Sequence, residues 1–450
     1  MEEKVALSVE QKRELLKKMM AEKKAKTAEA PTVAAPVKQD ESGIDPSFYD
    51  VSKFPEIAAH HQQFDQLGAL QIENPYFRVN ENIVNNRTRI QGRDMISFSS
   101  YNYLGMSGDE RVSKASKDAI DKYGTSVSAS RVATGEKPLH KELEQEIASL
   151  LGVEDAVVMV GGHSTNVTTI GHLMRPQDLI VFDELSHNSI LQGAELSGAR
   201  RMPFPHEDFA ALDRILTENR GQYQRVLITI EGVYSMDGDI ANLPEFIKLR
   251  NKHKCLLMVD EAHSMGVLGK NSGGIRDHFG VNGEDVDIWM STFSKSFASC
   301  GGYIAGKTAM IDYLKYTAPG FLYSVGLPPS NTAAALEAMR IFQKESWRSQ
   351  KLRDNARFFV EKAKEKGLDT GISKGTAVVP IIVRNSAHAL VLGHRLFEDD
   401  INVQPILAPA VADSESRLRF FITCDHTEKE MAHVIERTAF HLSKIREEIK

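Results

Sequence analysis

A carboxylate and a histidine follow an apolar run in the motif MVDEAHSMG, where Asp260 ends the run and His263 comes three residues later. The carboxyl ends of parallel strands are where α/β proteins bind ligands. A carboxylate there can pair with a protonated ring nitrogen and keep a pyridinium ring cationic as an electron sink. D-E-A-H also occurs in nucleotide hydrolases that coordinate magnesium, but the chain has no G-x-x-x-x-G-K-[ST] phosphate loop. A purely structural aspartate is the other alternative.

A lysine among small hydroxyl residues, Lys295 in DIWMSTFSKSFASCGG, has the setting of a Schiff-base lysine. Such a lysine needs a neutral amine, which burial favours, and small neighbours leave room for a cofactor. The hydroxyls of Thr292 and Ser294 can bind a phosphate. An isolated S-K-S would indicate a surface loop, but with Asp260 on an earlier strand it indicates a pyridoxal phosphate (PLP) site.

Three weaker signals accompany these motifs. In VVMVGGHSTN a predicted strand runs into Gly161 and Gly162 and then a helix start, where backbone N–H groups and the helix dipole can hold phosphate. Such a turn is also a common structural connector. In DELSHNS, His187 follows a predicted strand, although a lone histidine is more often structural than catalytic. In EGVYSMDGD, Ser235 follows another predicted strand.

The elements that position these residues alternate between strands and helices from Arg93 onward, which predicts an α/β fold with a mainly parallel sheet. Short apolar runs have the length of buried strands. They are AVVMV (156–160), LIVF (179–182), RVLITI (225–230) and CLLMVD (255–260).

Four regions are expected along the chain. Residues 1–43 form a flexible tail with a short basic helix, and residues 44–95 form an N-terminal segment. Residues 96–325 form the large domain, and residues 326–450 form a smaller C-terminal α/β domain. The tail combines a lysine-rich amphipathic stretch with an Ala/Pro-rich linker.

Composition excludes several classes of protein. The 450 residues carry a formal net charge of −6, which gives no general attraction to nucleic acid or anionic membranes. No apolar run approaches the roughly 20 residues of a membrane helix. Three widely spaced cysteines without a C-x-x-C pair argue against a disulfide framework or a zinc site. We therefore expect a cytoplasmic protein without a structural metal.

Taken in order, the motifs of the chain resemble those of the α-oxoamine synthases, a branch of the fold-type-I PLP enzymes. The motifs are SYNYLG, GTSVSASRVATG, GGHSTN, DELSHNS, EGVYSMDGD, VDEAHSMGVLG, STFSKSF and LYSVGLPP. The resemblance covers roughly residues 75 to 445. It implies the fold-type-I fold, with a large PLP-binding domain and a smaller C-terminal domain, and it implies PLP as the cofactor.

The resemblance also implies roles for individual residues in catalysis and binding. Lys295 is the Schiff-base lysine, Asp260 pairs with the pyridine nitrogen, and His187 stacks on the ring and contacts substrate. Ser235 and His263 lie near the phenolic oxygen of the cofactor, and Arg419 binds the substrate carboxylate. The phosphate is held by Gly162, His163 and Thr292, and Ser324 reaches the phosphate of the neighbouring subunit.

The implied reaction is the decarboxylative condensation of glycine, alanine or serine with an acyl thioester, giving an α-amino ketone, carbon dioxide and free thiol. The resemblance further implies a homodimer. Two alternatives stay open: another fold-type-I reaction, such as transamination or elimination, and a non-catalytic subunit that supports an active partner. The basic tail is either a dispensable extension or a docking segment for an acidic acyl-carrier protein.

Overall fold

The computed structural model describes residues 43–61, 72–408 and 410–448. The predicted N-terminal tail therefore lies almost wholly outside the described residues. The chain divides into two compact units. Among the described residues, one comprises Asn80–Ile382 and Arg419–Ile435, and the other comprises residues 43–61, 72–79, 383–408, 410–418 and 436–448. The domain boundaries expected near residues 43, 95 and 325 stay predictions.

Strands and helices alternate through most of the described chain. The strands are β1 (Arg87–Ile90), β2 (Arg93–Ser97), β3 (Asp155–Met159), β4 (Leu179–Asp183), β5 (Arg200–Phe204), β6 (Val226–Glu231), β7 (Leu256–Asp260), β8 (Ile288–Thr292), β9 (Gly302–Gly306), β10 (Val378–Ile382), β11 (Ile401–Asn402), β12 (Gln404–Ile406) and β13 (Arg417–Phe421). The helices are α1 (Glu110–Tyr123), α2 (Pro138–Leu151), α3 (Gly162–Leu173), α4 (Asn188–Ser197), α5 (Phe209–Asn219), α6 (Leu243–His253), α7 (Gly274–Phe279), α8 (Thr308–Thr317), α9 (Pro319–Leu322), α10 (Pro329–Lys344), α11 (Trp347–Glu365), α12 (Ser386–Glu398) and α13 (Glu428–Glu448).

The larger unit is built on a seven-stranded sheet with the order β3-β9-β8-β7-β6-β4-β5. Strands β5, β4, β6, β7 and β8 are parallel to one another, whereas β9 runs antiparallel to both β8 and β3. The four predicted apolar runs fall on β3, β4, β6 and β7. Because β4, β6, β7 and β8 are parallel, their carboxyl ends meet at one edge of the sheet.

Burial explains why these strands read as continuous apolar runs. Every residue of β6, β8 and β9 is buried, as expected for strands covered by helices on both faces. The core includes Val157 of β3, Leu227 of β6 and Met258 of β7, together with apolar residues of α3 and α4.

A buried ion pair fixes the loop before α2 to the edge of the sheet. Arg131 Nη1 lies 2.5 Å from Glu144 Oε1, and both side chains are almost fully buried. The same carboxylate oxygen accepts the backbone N–H of Val158 in β3 at 2.9 Å. This loop is also bound to the segment before α10, because the Gly326 N–H donates to the Ala129 carbonyl at 3.2 Å. The strand that leads into the glycine pair is thereby held in position.

Each of the two units also contains a smaller ordered feature. In the larger unit, β1 and β2 form an antiparallel hairpin whose turn residues Gln91 and Gly92 both have positive φ, as tight hairpin turns require. In the other unit, Asp399 after α12 contacts Arg437 and His441 of α13 at 2.6 Å each. Within the described ranges, no helix combines the length and the apolar character needed to cross a bilayer.

Candidate active site

A cavity of about 190 Å³ opens at the carboxyl edge of the parallel strands. Its polar lining comes from the ends of β6, β7 and β8 and from the turns that follow β3 and β4. The cavity is lined by Gly162, His163, Asn166, His187, Ser189, Glu231, Asp260, Ala262, His263, Met290, Thr292, Ser294 and Lys295. Seven of the ten predicted site residues thus lie around one space.

Asp260, the last residue of β7, is buried and held by two donors. Asn166 Nδ2 donates to its Oδ2 at 2.8 Å, and the backbone N–H of Ala262 donates to its Oδ1 at 2.9 Å. A carboxylate offers about four lone-pair directions, so Asp260 keeps capacity for a further donor. The carboxylate is therefore oriented by the protein and remains available to a protonated ring nitrogen in the cavity.

Lys295 lies three residues beyond β8, with its amine beside the cavity. Burial lowers the pKa of the amine to about 8, although the carboxylates of Asp260 and Glu231 oppose that shift. The amine lies 5.5 Å from the centre of the Tyr101 ring. A lysine with this pKa is partly neutral near pH 7, which is the state that attacks a carbonyl carbon.

His187 is the N-cap residue of α4. Its Nδ1 accepts the backbone N–H of Ser189 at 3.2 Å and lies 2.7 Å from the Ser189 hydroxyl. Asn166 Nδ2 donates to that same hydroxyl oxygen at 2.9 Å, which leaves the hydroxyl hydrogen for Nδ1. Burial lowers the pKa of the imidazole. The ring is therefore neutral and fixed beside the cavity, with its proton on Nε2.

His263 lies on the turn after β7, where its Nδ1 is 2.8 Å from the Tyr103 hydroxyl. Burial lowers the pKa of this imidazole well below its usual value, and the charge of Lys295 acts in the same direction. His263 is thus a neutral hydrogen-bonding group in the wall of the cavity.

The turn between β3 and α3 forms a close-fitting cradle against the end of β8. A Cβ atom on Gly162 would lie 2.6 Å from Thr292 Oγ1, so only glycine fits without displacement. The first helical bond of α3 runs from the Thr165 N–H to the Gly161 carbonyl. Among the described residues, the preceding N–H groups, including that of His163, have no backbone acceptor, and the helix dipole favours an anion there.

Ser235, Arg419 and Ser324 do not line this cavity. The N–H of Ser235 donates to Glu231 Oε2 at 3.3 Å, and Arg419 Nη1 donates to the Ser235 carbonyl at 3.0 Å. The structure therefore joins Ser235 and Arg419 to each other beside the site. Ser324 is half-buried in the turn after α9, where its N–H donates to the Phe321 carbonyl at 3.3 Å.

Three residues of the site were missed at the sequence level: Glu231, Asn166 and Tyr103. Glu231 ends β6 directly opposite Asp260 in the sheet register. Its Oε1 accepts the N–H of His187 at 2.6 Å, so one carboxyl joins the His187 and Ser235 turns. Burial raises its pKa well above the usual range, and the neighbouring Asp260 adds to that shift. The sequence signal that could have indicated Glu231 is its position at the end of the apolar run RVLITI.

The cavity fits PLP in three respects. Gly162, His163 and Thr292 offer a cradle for its phosphate, Asp260 faces the space where a ring nitrogen would bind, and Lys295 supplies the amine. Thr292 Oγ1 lies 2.8 Å from Ser294 Oγ, which adds a second hydroxyl to the cradle. The donor set thus matches an anionic group at one end of the cavity and a cationic ring nitrogen in its interior.

Comparisons with known proteins agree with this chemistry. The profile of the family described as aminotransferase class I and II matches residues 93–437. The 8-amino-7-oxononanoate synthase of Thermosipho melanesiensis is 40% identical over 77% of this chain and 88% of its own length. The serine palmitoyltransferase of Sphingobacterium spiritivorum is 34% identical over 80% of this chain and 90% of its own length.

A solved structure is similar over most of the chain. The high-resolution structure of SPT with PLP as the internal aldimine superposes with a TM-score of 0.83 at 28% sequence identity. The superposition covers 88% of this chain and 99% of that one.

Proposed function

Because the chain belongs to the aminotransferase class I and II family, and within it to the α-oxoamine synthases, we propose that the cavity is the active site of a PLP-dependent acyltransferase. The family, the fold-type-I α/β fold, the cofactor and the enzyme class predicted from the sequence are confirmed. The reaction joins an amino acid to an acyl thioester and releases carbon dioxide and free thiol. The observation that carries this function is the convergence of Lys295, Asp260 and the Gly162 cradle on one cavity.

Residues at different places in the cavity have different roles in the reaction. When bound, PLP supplies an aldehyde for the lysine amine and a pyridinium ring that accepts electron density from the amino-acid Cα. Asp260 holds the proton on the ring nitrogen. The neutral amine of Lys295 takes the Cα proton, and such proton transfer typically contributes ~10²–10⁴-fold in rate. His187, neutral and fixed at the start of α4, would bind against the cofactor ring from the wall of the cavity.

The amino-acid carboxylate is bound by Arg419. Its guanidinium group lies 4.7 Å from the centre of the Phe421 ring and donates to the Ser235 carbonyl, so it is positioned before substrate arrives. Ser235 and His263 would hold the phenolic oxygen of the cofactor. A bound carboxylate near a fixed arginine orients the amino acid for loss of the correct Cα substituent.

The enzyme acts as a homodimer in which Ser324 reaches the phosphate bound by the neighbouring subunit. Three apolar side chains support this proposal: Val132 and Val325 are each 52% exposed, and Tyr323 is 88% exposed. The backbone bond between Gly326 and Ala129 brings their two segments side by side. Exposed apolar groups collected in one place indicate an interaction surface.

A reducing cytoplasm is the proposed location. All three cysteines, Cys255, Cys300 and Cys424, are free thiols, and burial raises the pKa of Cys255 to about 11. A thiol with a raised pKa is a poor nucleophile and is not poised for disulfide formation.

The test is a substrate panel. Purified protein with PLP is incubated with glycine, alanine or serine and with acyl thioesters of increasing length, carried either on CoA or on an acyl-carrier protein. We expect one combination to give an α-amino ketone with one carbon dioxide and one thiol per product, measured by mass spectrometry. Lys295→Ala should abolish turnover, whereas Lys270→Ala, at an exposed lysine, should not.

Each alternative gives a different result. Amino transfer to a keto acid without carbon dioxide release would assign another fold-type-I reaction. Binding of PLP without turnover of any combination would assign a non-catalytic subunit. A carrier-protein donor would be supported if truncation of residues 1–43 raised KM for acyl-carrier substrate and left KM for acyl-CoA unchanged.

A further inference from the structure

Tyr103 lies behind the cavity wall and forms a buried pair with His263, which lines the cavity. The Tyr103 hydroxyl lies 2.8 Å from His263 Nδ1, and the tyrosine is fully buried. Within residues 72–408 and the other described ranges, the hydroxyl and the imidazole make no other hydrogen bond. Among the described residues, Nε2 of His263 is therefore the ring nitrogen of the pair that is left to hydrogen-bond a ligand.

Burial decides the direction of this hydrogen bond. If Nδ1–H donated to the phenol, the phenolic hydrogen of Tyr103 would be buried without an acceptor, which is unfavourable for a buried polar group. If the hydroxyl donates, its hydrogen is satisfied, Nδ1 is the acceptor and the neutral ring carries its proton on Nε2. The second arrangement leaves no buried donor unpaired.

Both partners are neutral at physiological pH. Burial raises the pKa of the Tyr103 phenol well above its usual value, and Tyr101 adds to the shift. Burial likewise lowers the pKa of His263. A neutral phenol is a donor, and a neutral imidazole has one nitrogen that must accept.

We propose that Tyr103 is a positioning residue that holds His263 in the tautomer protonated at Nε2, so that the ring presents an N–H donor to the cavity. This inference rests on the proposed function, because the donor would serve the phenolic oxygen of the bound cofactor. An Nε2 lone pair in the same place would repel an anionic oxygen. A neutral imidazole otherwise interconverts between its two tautomers. Here the hydroxyl of Tyr103, which does not line the cavity, selects one of them.

The tautomer can be measured by nitrogen NMR on holoenzyme labelled with 15N in histidine. The two His263 resonances are assigned by their absence from the spectrum of His263→Gln. In the native enzyme we expect Nε2 to be protonated and Nδ1 to be unprotonated. Tyr103→Phe removes only the hydroxyl and should shift both resonances toward a mixture of the two tautomers.

A matched control removes a different buried phenol. Tyr303 in β9 is about as deeply buried as Tyr103, and its ring contacts in the described residues are with Phe293 and Phe297. Tyr303→Phe should therefore leave both His263 resonances unchanged. In Tyr103→Phe we also expect kcat to fall about three- to tenfold, the loss of one neutral hydrogen bond, with KM for the amino acid unchanged.

Two results would overturn the proposal. One is a native enzyme with the proton of His263 on Nδ1, which needs no variant and so does not depend on how Tyr103→Phe folds. The other is an identical His263 spectrum in Tyr103→Phe. Neither result concerns the reaction itself, so an active acyltransferase with the other tautomer would contradict only the role of Tyr103. A native enzyme with the expected tautomer and no turnover would contradict only the proposed function.

Discussion

The amine of Lys295 has a lowered pKa because it is enclosed after the end of β8. Its reactivity towards an amine reagent should therefore rise with pH at lower pH values than that of an ordinary lysine. With a pKa of about 8, roughly a tenth of the amine is neutral at pH 7, about two orders of magnitude more than for an ordinary lysine. We predict that, in the cofactor-free protein, labelling of Lys295 by an amine reagent rises about tenfold per pH unit up to pH 8 and then levels off. Peptide mass spectrometry of the labelled protein measures this profile.

The exposed lysines of the same digest serve as internal references for the labelling. Their reaction should keep rising well above pH 8, since an ordinary lysine titrates near pH 10.4. A Lys295 profile that runs parallel to theirs up to pH 10 would contradict the effect of burial. The stability of the fold should also rise with pH, because enclosing a charged Lys295 costs stability below pH 8. That cost falls between pH 8 and the unfolded pKa near 10.4 and is absent above it.

At the scale of single residues, the sequence could indicate Asp260 and Lys295 but not their partners. Both follow apolar runs, so their position at a strand end could be inferred from the chain alone. Asn166 and Tyr103 could not, because they meet Asp260 and His263 across nearly a hundred residues or more of sequence. Glu231 is part of the motif EGVYSMDGD, but its two bonds to backbone N–H groups form only when both turns are folded.

At the scale of elements, the close contact between the start of α3 and the end of β8 should be needed for tight PLP binding. In Gly162→Ala the new methyl group would overlap Thr292 and push the helix start away from the strand. Overpacking of this kind costs about 1–3 kcal/mol, so we expect the Kd for PLP to rise about ten- to a hundredfold. Titration of cofactor-free protein with PLP, followed by absorbance, measures the change.

Gly221→Ala is the control for this change, because a Cβ at Gly221 meets no atom within 4 Å. It should bind PLP like the native protein. Thermal unfolding of both cofactor-free variants separates a local effect on the cradle from a general loss of stability. Unchanged PLP affinity in Gly162→Ala would show that the cradle does not hold the cofactor.

The antiparallel direction of β9 could not be predicted from the alternation of strands and helices. Alternating strands and helices predict parallel pairs, and the parallel core of β4, β6, β7 and β8 follows that rule. The sequence GYIAG of β9 is as apolar as its neighbours, and burial is the same for parallel and antiparallel strands in a covered sheet. Only the short connection from β8, too short for a crossover helix, favours the antiparallel pairing.

At the scale of the whole molecule, the exposed apolar residues Tyr323 and Val325 should be covered by a second subunit. A charge buried in such an interface is costly. We predict that the double variant Tyr323→Glu and Val325→Glu dissociates to monomers at micromolar concentration and loses turnover. Sedimentation equilibrium gives the mass, and the substrate panel gives the activity.

Ile372→Glu is the control for the added charge, since Ile372 is also an exposed apolar residue but lies in a different loop of the larger unit. It should remain a dimer with native activity. A native enzyme that sediments as a monomer and is fully active would refute both the dimer and the role of Ser324 across its boundary.

The edge position of β3 has a consequence for how the protein is made. Within the seven-stranded sheet β3 pairs only with β9, which leaves the ribosome roughly 140 residues later. At typical rates of synthesis, about 5–20 residues per second, the nascent β3 waits about 7 to 30 s for its neighbour. During that interval an apolar strand and the glycine turn after it are open to chaperones and to aggregation, and the phosphate cradle cannot yet exist. Cofactor capture is therefore confined to the last third of translation or to the released chain.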